Sequence, residues 1–94
     1  MKNKLRIGIA WFNESDWDEL KRISEDELEE SYEDWLIEAT IAKKDLEDNG
    51  FTVAKVTITP EKFKIWCKKN FKKLNSGSRS HYVAELLRDA DSKN

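Results

Sequence analysis

Two short runs of this 94-residue chain have the character of β-strands, and the sequence between them is patterned for helix. In the first, Leu5, Ile7, Ile9 and Trp11 alternate with Arg6, Gly8, Ala10 and Phe12, a period of two with one bulky face and one mostly small face. The second, Phe51 to Thr59, is β-branched and apolar. Its alternation changes phase between Phe51/Val53 and Val56/Ile58, which reads either as cover on both faces or as a bulge. Strands joined by a helical crossover pair in parallel, with helices laid on the sheet. The expected fold is a small α/β single domain over residues 1–94, of order β-α-α-β-α-α, with a two-stranded parallel sheet. The small face of the first strand invites close approach by a helix. Both sheet edges are open and are protected by little beyond Arg6 and Lys55. Extension of the sheet across a homodimer therefore competes with a monomer whose edges are covered by helices.

Spacing and capping residues place the helices. Ser15 with Asp18 has the spacing of a capping box and opens a short helix through Ile23, with Trp17 and Leu20 inward. Ser24 with Glu27 and Ser31 with Asp34 repeat that spacing, so the acidic stretch 24–31 is expected to turn once before the longest helix. That helix, Tyr32 to Asp48, carries Tyr32, Trp35, Leu36, Ala39, Ala42 and Leu46 on one stripe, and Asn49-Gly50 is its left-handed stop. Thr59-Pro60 reads as the N-cap and first position of a third helix to Lys69, with Phe63, Trp66 and Cys67 inward. Phe71 and Leu74 are expected to plug the connection that follows, and the NSGS stretch at 75–78 to be flexible. A last helix, Arg79 to Asp89, is organised around Tyr82, Val83, Leu86 and Leu87, leaving residues 90–94 as a frayed tail.

Only 38% of residues are hydrophobic, but they are large and periodic. Each of Trp11, Trp17, Trp35 and Trp66 can bury roughly 150–250 Å², about 4–6 kcal/mol of gross transfer free energy. Trp35 and Trp66 fit inner helix stripes, and Trp17 covers the sheet. Trp11, at the end of a strand, is placed either to close the core or to form one wall of an exposed site. One cysteine excludes an intramolecular disulfide and a Cys-rich zinc cage, and no segment approaches the roughly 20 apolar residues of a membrane span. The start MKNKLRIGIAWF has too short an apolar stretch for a signal peptide, so a cytoplasmic protein without membrane association is the expectation.

The net charge of −2 conceals a partition. Between Glu14 and Asp48 fifteen acids face four bases, a segment charge of −11; between Lys62 and Arg79 seven bases stand without an acid. Lys68, Lys69, Lys72, Lys73 and Arg79, interleaved with Phe71 and Tyr82, have the composition of a nucleic-acid contact, phosphates on the cations and a base on a ring. The plainer reading is that this basic segment faces the acidic helices, within one chain or across a dimer. The acidic helices could in turn occupy a basic groove of a protein partner, or mimic nucleic acid.

Chemistry has fewer footholds. Cys67 and His81 are the one thiol and the one imidazole, and neither has a catalytic signature; Cys67 follows Trp66 on an apolar face, as a small hydrophobe would. One histidine and one cysteine do not make a zinc set, and an EF-hand ladder and a glycine-rich phosphate loop are both absent from the sequence. Glu33, Asp34 and Glu38 flank Trp35, but helical spacing turns their charge outward. No cofactor or metal is expected.

RIGIAWF at 6–12, YEDWL at 32–36, AKVTI at 54–58, WC at 66–67 and SRSHYVAELLR at 78–88 together resemble a group of small uncharacterised bacterial proteins. The resemblance spans nearly the whole chain and implies a shared fold and a bacterial source; its motifs are strand and helix faces and imply no activity. The leading expectation is a non-enzymatic interaction or regulatory protein that meets a macromolecular partner through its acidic helices or its basic C-terminal segment. Nucleic-acid binding through segment 62–79 is the alternative, and a small enzyme the least favoured. The residues singled out for contact are Lys68, Lys69, Lys72, Lys73, Arg79 and Trp11.

Overall fold

A computed structural model describes residues 5–92. Strands β1 (Arg6–Trp11) and β2 (Thr52–Thr57) pair in parallel in unbroken register, from Arg6 opposite Thr52 to Trp11 opposite Thr57. Between them lie a 3-10 turn (Glu14–Asp16) and helices α1 (Trp17–Ile23) and α2 (Tyr32–Asp48); α3 (Pro60–Lys69) and α4 (Ser76–Ser92) follow. The expected element order and the parallel two-stranded sheet are both present. No bulge interrupts β2: Val56 sits beside Gly8 on the α4 side, Val53 lies on the opposite side, and both are half-buried.

Gly8 lets α4 seat on the sheet. A Cβ built there would lie 2.9 Å from Cγ1 of Val83 and 3.2 Å from both Cδ2 of Leu87 and Cγ2 of Val56. The small face of β1 is thus the docking face of α4, while α2 packs against β2. At the far end of α4, the carboxylate of Asp91 pairs with Arg6 of β1. Of the stretch expected to fray, residues 90–92 are helical, and Lys93 and Asn94 lie outside the described residues.

The core gathers at the C-terminal end of the strands, where Phe12 and Ile58 extend them and Trp17, Leu20, Trp35, Phe63, Cys67, Tyr82 and Val83 close over. Trp35, in the first turns of α2, has ring contacts with Trp11 (5.1 Å between centroids), Phe12 (4.8 Å), Trp17 (5.8 Å) and Tyr32 (5.3 Å). The Tyr32 hydroxyl donates to the Phe12 carbonyl at 3.0 Å. A second group joins α3 to α4: Tyr82 lies 5.6 Å from Phe63 and 5.1 Å from Trp66, whose indole N–H donates to Glu85. Along α2, Ala42 is exposed rather than part of the stripe, and the half-buried stem of Lys43 lies on the inner side in its place.

Several capping expectations are corrected. Ser15 does not open α1; it lies in the 3-10 turn, and the helix begins two residues later at Trp17. Ser24 ends α1 instead of starting a new turn, its hydroxyl donating to the Leu20 carbonyl at 2.7 Å, and residues 24–31 contain no helix. Ser31 is a true N-cap, accepting from the Asp34 amide, and Gly50 takes the left-handed stop at φ 94°. NSGS is not a flexible link. Asn75 Oδ1 accepts from the Ser78 amide at 3.0 Å, so α4 starts at Ser76 and not at Arg79.

That early start is reinforced by the acidic segment. Asp26 receives both terminal nitrogens of Arg79, at 2.6 and 3.2 Å. Burial alone would raise the Asp26 carboxyl; the Arg79 hydrogen bond and charge, together with the backbone amides of Asp26 and Ser76, outweigh it and hold the group below its ordinary value. Next to it the Glu25 amide donates to the Leu74 carbonyl, and the Leu74 amide to the Glu25 carboxylate.

Two outcomes follow from these contacts. Gly8→Ala should cost about 1–3 kcal/mol of overpacking in urea unfolding, and Gly8→Ala with Val83→Ala should lose less than the sum of the two single changes. Asp26→Asn should cost about 3 kcal/mol by stranding the Arg79 cation. Because the folded Asp26 pKa is depressed, the stability that wild type holds over this variant should be complete above the ordinary value near 3.8 and disappear as pH falls through the lower folded value. A gap between the two proteins that is independent of pH would refute that role for the carboxylate.

Candidate functional site

The contact residues expected from sequence separate into three environments. Arg79 is 7% exposed and committed to Asp26, so it is a structural cation and not a surface contact. Tyr82, expected to interleave with the cations, is buried, and its hydroxyl is pushed up chiefly by that burial. Trp11 belongs to the ring cluster: half-buried, edge-on to Trp35, with Lys55 Nζ 4.4 Å above its ring. Lys68, Lys69, Lys72 and Lys73 remain together and exposed at the corner between α3 and α4. None of the four forms an ion pair with a described residue.

At the centre of this corner stands Phe71, which does not plug the connection. It is 96% exposed, whereas Leu74 is half-buried against the core as expected. The cause is the way α3 ends. The Phe71 amide donates to the Lys68 carbonyl at 3.4 Å and the Lys72 amide to the Cys67 carbonyl at 2.9 Å, the two bonds of a Schellman motif. That motif requires the left-handed region at its central position, where glycine is usual; here Phe71 adopts φ 56°, the one positive φ of a non-glycine residue among those described. An L side chain in that conformation costs roughly 1–2 kcal/mol. The fold gains nothing visible in return, since the ring is in water.

Both flanks of the corner are tied down. On the helix side the Asn70 side chain donates to the Trp66 carbonyl at 2.8 Å, and on the far side Leu74 makes its two-way pairing with Glu25. Underneath, the Cys67 Sγ lies 3.7 Å from the Lys73 carbonyl; burial pushes the thiol up, leaving it a packed, protonated group. Of the acids that meet the chain around this corner, Glu25 accepts from the Leu74 amide and Asp26 is paired with Arg79. Within one chain, the plainer expectation that the basic segment faces the acidic helices is met in part: Lys64 lies near Glu19 of α1 and Arg79 pairs with Asp26 of the acidic connection, whereas these four lysines have no ion pair with a described residue.

Catalytic geometry is a poorer fit. His81 is exposed and packs edge-on to Trp66 at 5.3 Å, while Cys67 faces the core. Neither lines any of the three clefts described: one of about 340 Å³ over Asp26 and Arg79, one of about 620 Å³ between Glu19 and the start of α3, and one of about 340 Å³ beside Trp17 and Tyr32. Lys62 and Lys64 line the second cleft with Asp16, Glu19 and Glu61, apart from the other lysines. Glu33, Asp34 and Glu38 point outward. Among the described residues no group of three or more His, Cys, Asp or Glu side chains could hold a metal ion, and no helix is long and apolar enough to cross a membrane.

Sequence reasoning left Phe71 between two readings, a plug for the connection and a ring among cations, and its exposure excludes the plug; the KKNFKK context, with lysines on both sides of a lone ring, carried the signal. Comparison of the chain with protein-family models, with curated proteins and with solved structures finds no match.

Proposed function

We propose that this chain is a non-enzymatic binding protein that engages an anionic macromolecule through the lysine corner at residues 68–73. One observation carries this reading. In a chain with nineteen acids, Arg6, Arg22, Lys43, Lys44 and Arg79 each hold a carboxylate, while Lys68, Lys69, Lys72 and Lys73 stand exposed within six residues of chain and without an ion pair to a described residue. Like charges crowded in this way repel one another, and an external polyanion relieves that repulsion while releasing its own condensed counterions. Arg79 and Trp11 drop out of the proposed surface, the first consumed by Asp26 and the second by the ring cluster.

The probe is fluorescein-labelled heparin, titrated with the full chain at several salt concentrations. Binding at about 50 mM salt that weakens linearly in the logarithm of salt concentration is expected. Replacing all four lysines by glutamine should weaken binding at least tenfold and flatten the slope, whereas Lys62→Gln with Lys64→Gln should do much less. Absence of binding by the wild-type chain at low salt, or equal binding by the fourfold variant, rejects the reading.

A further inference from the structure

We infer that Phe71 is a base-stacking residue and that the anionic partner of the lysine corner is single-stranded nucleic acid, an inference that rests on the polyanion reading above and narrows it. The residue is disfavoured by its own fold on two counts: its ring is 96% in water, and its backbone sits at φ 56° where the Schellman motif favours glycine. The same two features suit it to a ligand. The left-handed turn redirects the chain after α3, so that Phe71 leaves the helical phase running through Phe63 and Cys67 and projects its ring outward. Lys68 and Lys69 precede the ring and Lys72 and Lys73 follow it. A flat apolar face with cations on both sides matches an unpaired base with a phosphate on either side of it.

Other polyanions fit less well. In a duplex the bases already stack on one another, and the ring would find no free face; a duplex would use only the lysines. A sulfated or phosphorylated polymer without bases would likewise leave the ring idle. An anionic lipid surface would use the lysines, but insertion needs apolar area, and Phe71 is flanked by Asn70 and Lys72. The next exposed apolar side chain, Ile65, lies six residues earlier on α3.

The full chain is titrated by anisotropy against a labelled oligo(dT) strand and a labelled duplex of equal length, and by co-sedimentation with vesicles containing phosphatidylserine, for wild type and for Phe71→Ala, Phe71→Leu, Phe71→Trp and Phe71→Gly. Wild type is expected to prefer the single strand. Phe71→Ala and Phe71→Leu should weaken single-strand binding about tenfold with the salt slope unchanged and duplex binding unaffected, while Phe71→Trp retains it. Phe71→Gly should show the same loss with a higher urea midpoint, which separates the loss from misfolding. Equal binding of oligo(dT) by wild type and Phe71→Ala, with both still bound through the lysines, overturns the stacking inference and leaves the polyanion reading in place. Vesicle binding that survives in Phe71→Leu and fails in Phe71→Ala assigns the ring to lipid and overturns it in another way. No binding to heparin or to either oligonucleotide removes both.

Discussion

A sheet of two strands cannot enclose a core by itself, and in this chain the deficit is met by rings packed around Trp35. Its contacts reach β1 through Trp11 and Phe12, the first helix through Trp17 and its own helix through Tyr32. Because α2 runs back along the sheet, its first turn lies at the C-terminal end of the strands, and the crossover is anchored there before β2 is reached. Aromatic pairs add about 0.5–1.5 kcal/mol each beyond their area. Trp11 is half-buried in this cluster, edge-on to Trp35 and beneath the Lys55 ammonium.

The acidic and basic halves of the chain meet beside the second cleft, where Lys62 and Lys64 stand near Glu19, and again at the start of α4, where the contact is an ion pair. Residues 24–26 bind residues 74–79 through the Glu25–Leu74 pairing and the Asp26–Arg79 ion pair, and together with Asn75 they fix where α4 begins. A carboxylate at a helix start and a cation a turn later form a compact arrangement in which Asp26 answers both the amide dipole and the guanidinium. Excess acids elsewhere fan outward, and excess bases collect at the corner beyond α3. Charge partition along the sequence becomes, in three dimensions, one part-buried ion pair between the halves, with most of the remaining charge of each sign at the surface.

Element types, their order and the pairing direction were legible because they depend on period and chain connection. The alternation at 5–12, most of the stripe at 32–46 and the start of α3 at Pro60 are local patterns that packing kept, although Ala42 left the stripe and the Thr59 hydroxyl makes no cap hydrogen bond. What failed was decided by partners distant in sequence or by a single backbone angle. Ser15 and Ser24 had the spacing of caps, yet a 3-10 turn displaced one and the other turned its hydroxyl back to Leu20. The start of α4 is capped by Asn75 and reinforced by the ion pair of Arg79 with Asp26, some fifty residues earlier. Phe71 continued the phase of Phe63 and Cys67, and three residues on came Leu74, so it read as core. One left-handed residue reversed the chain, and only Leu74 went inward. The four lysines of the candidate site were found from composition, whereas the loss of Arg79 and Tyr82 to the interior required coordinates.

The end of α3 has a kinetic meaning as well as a structural one. Its two closing bonds form with the helix, and Leu74 pins the strand of chain that leaves, so the backbone beneath Phe71 is ordered before any encounter. On the proposed reading, a partner arriving there would immobilise two torsions of a ring and the tips of lysine side chains. In such an arrangement approach is governed by the field of the cations and responds to ionic strength, while residence is governed by how well the ring is covered. Speed of capture and length of stay would then be set by different residues of one short turn, and could be altered separately.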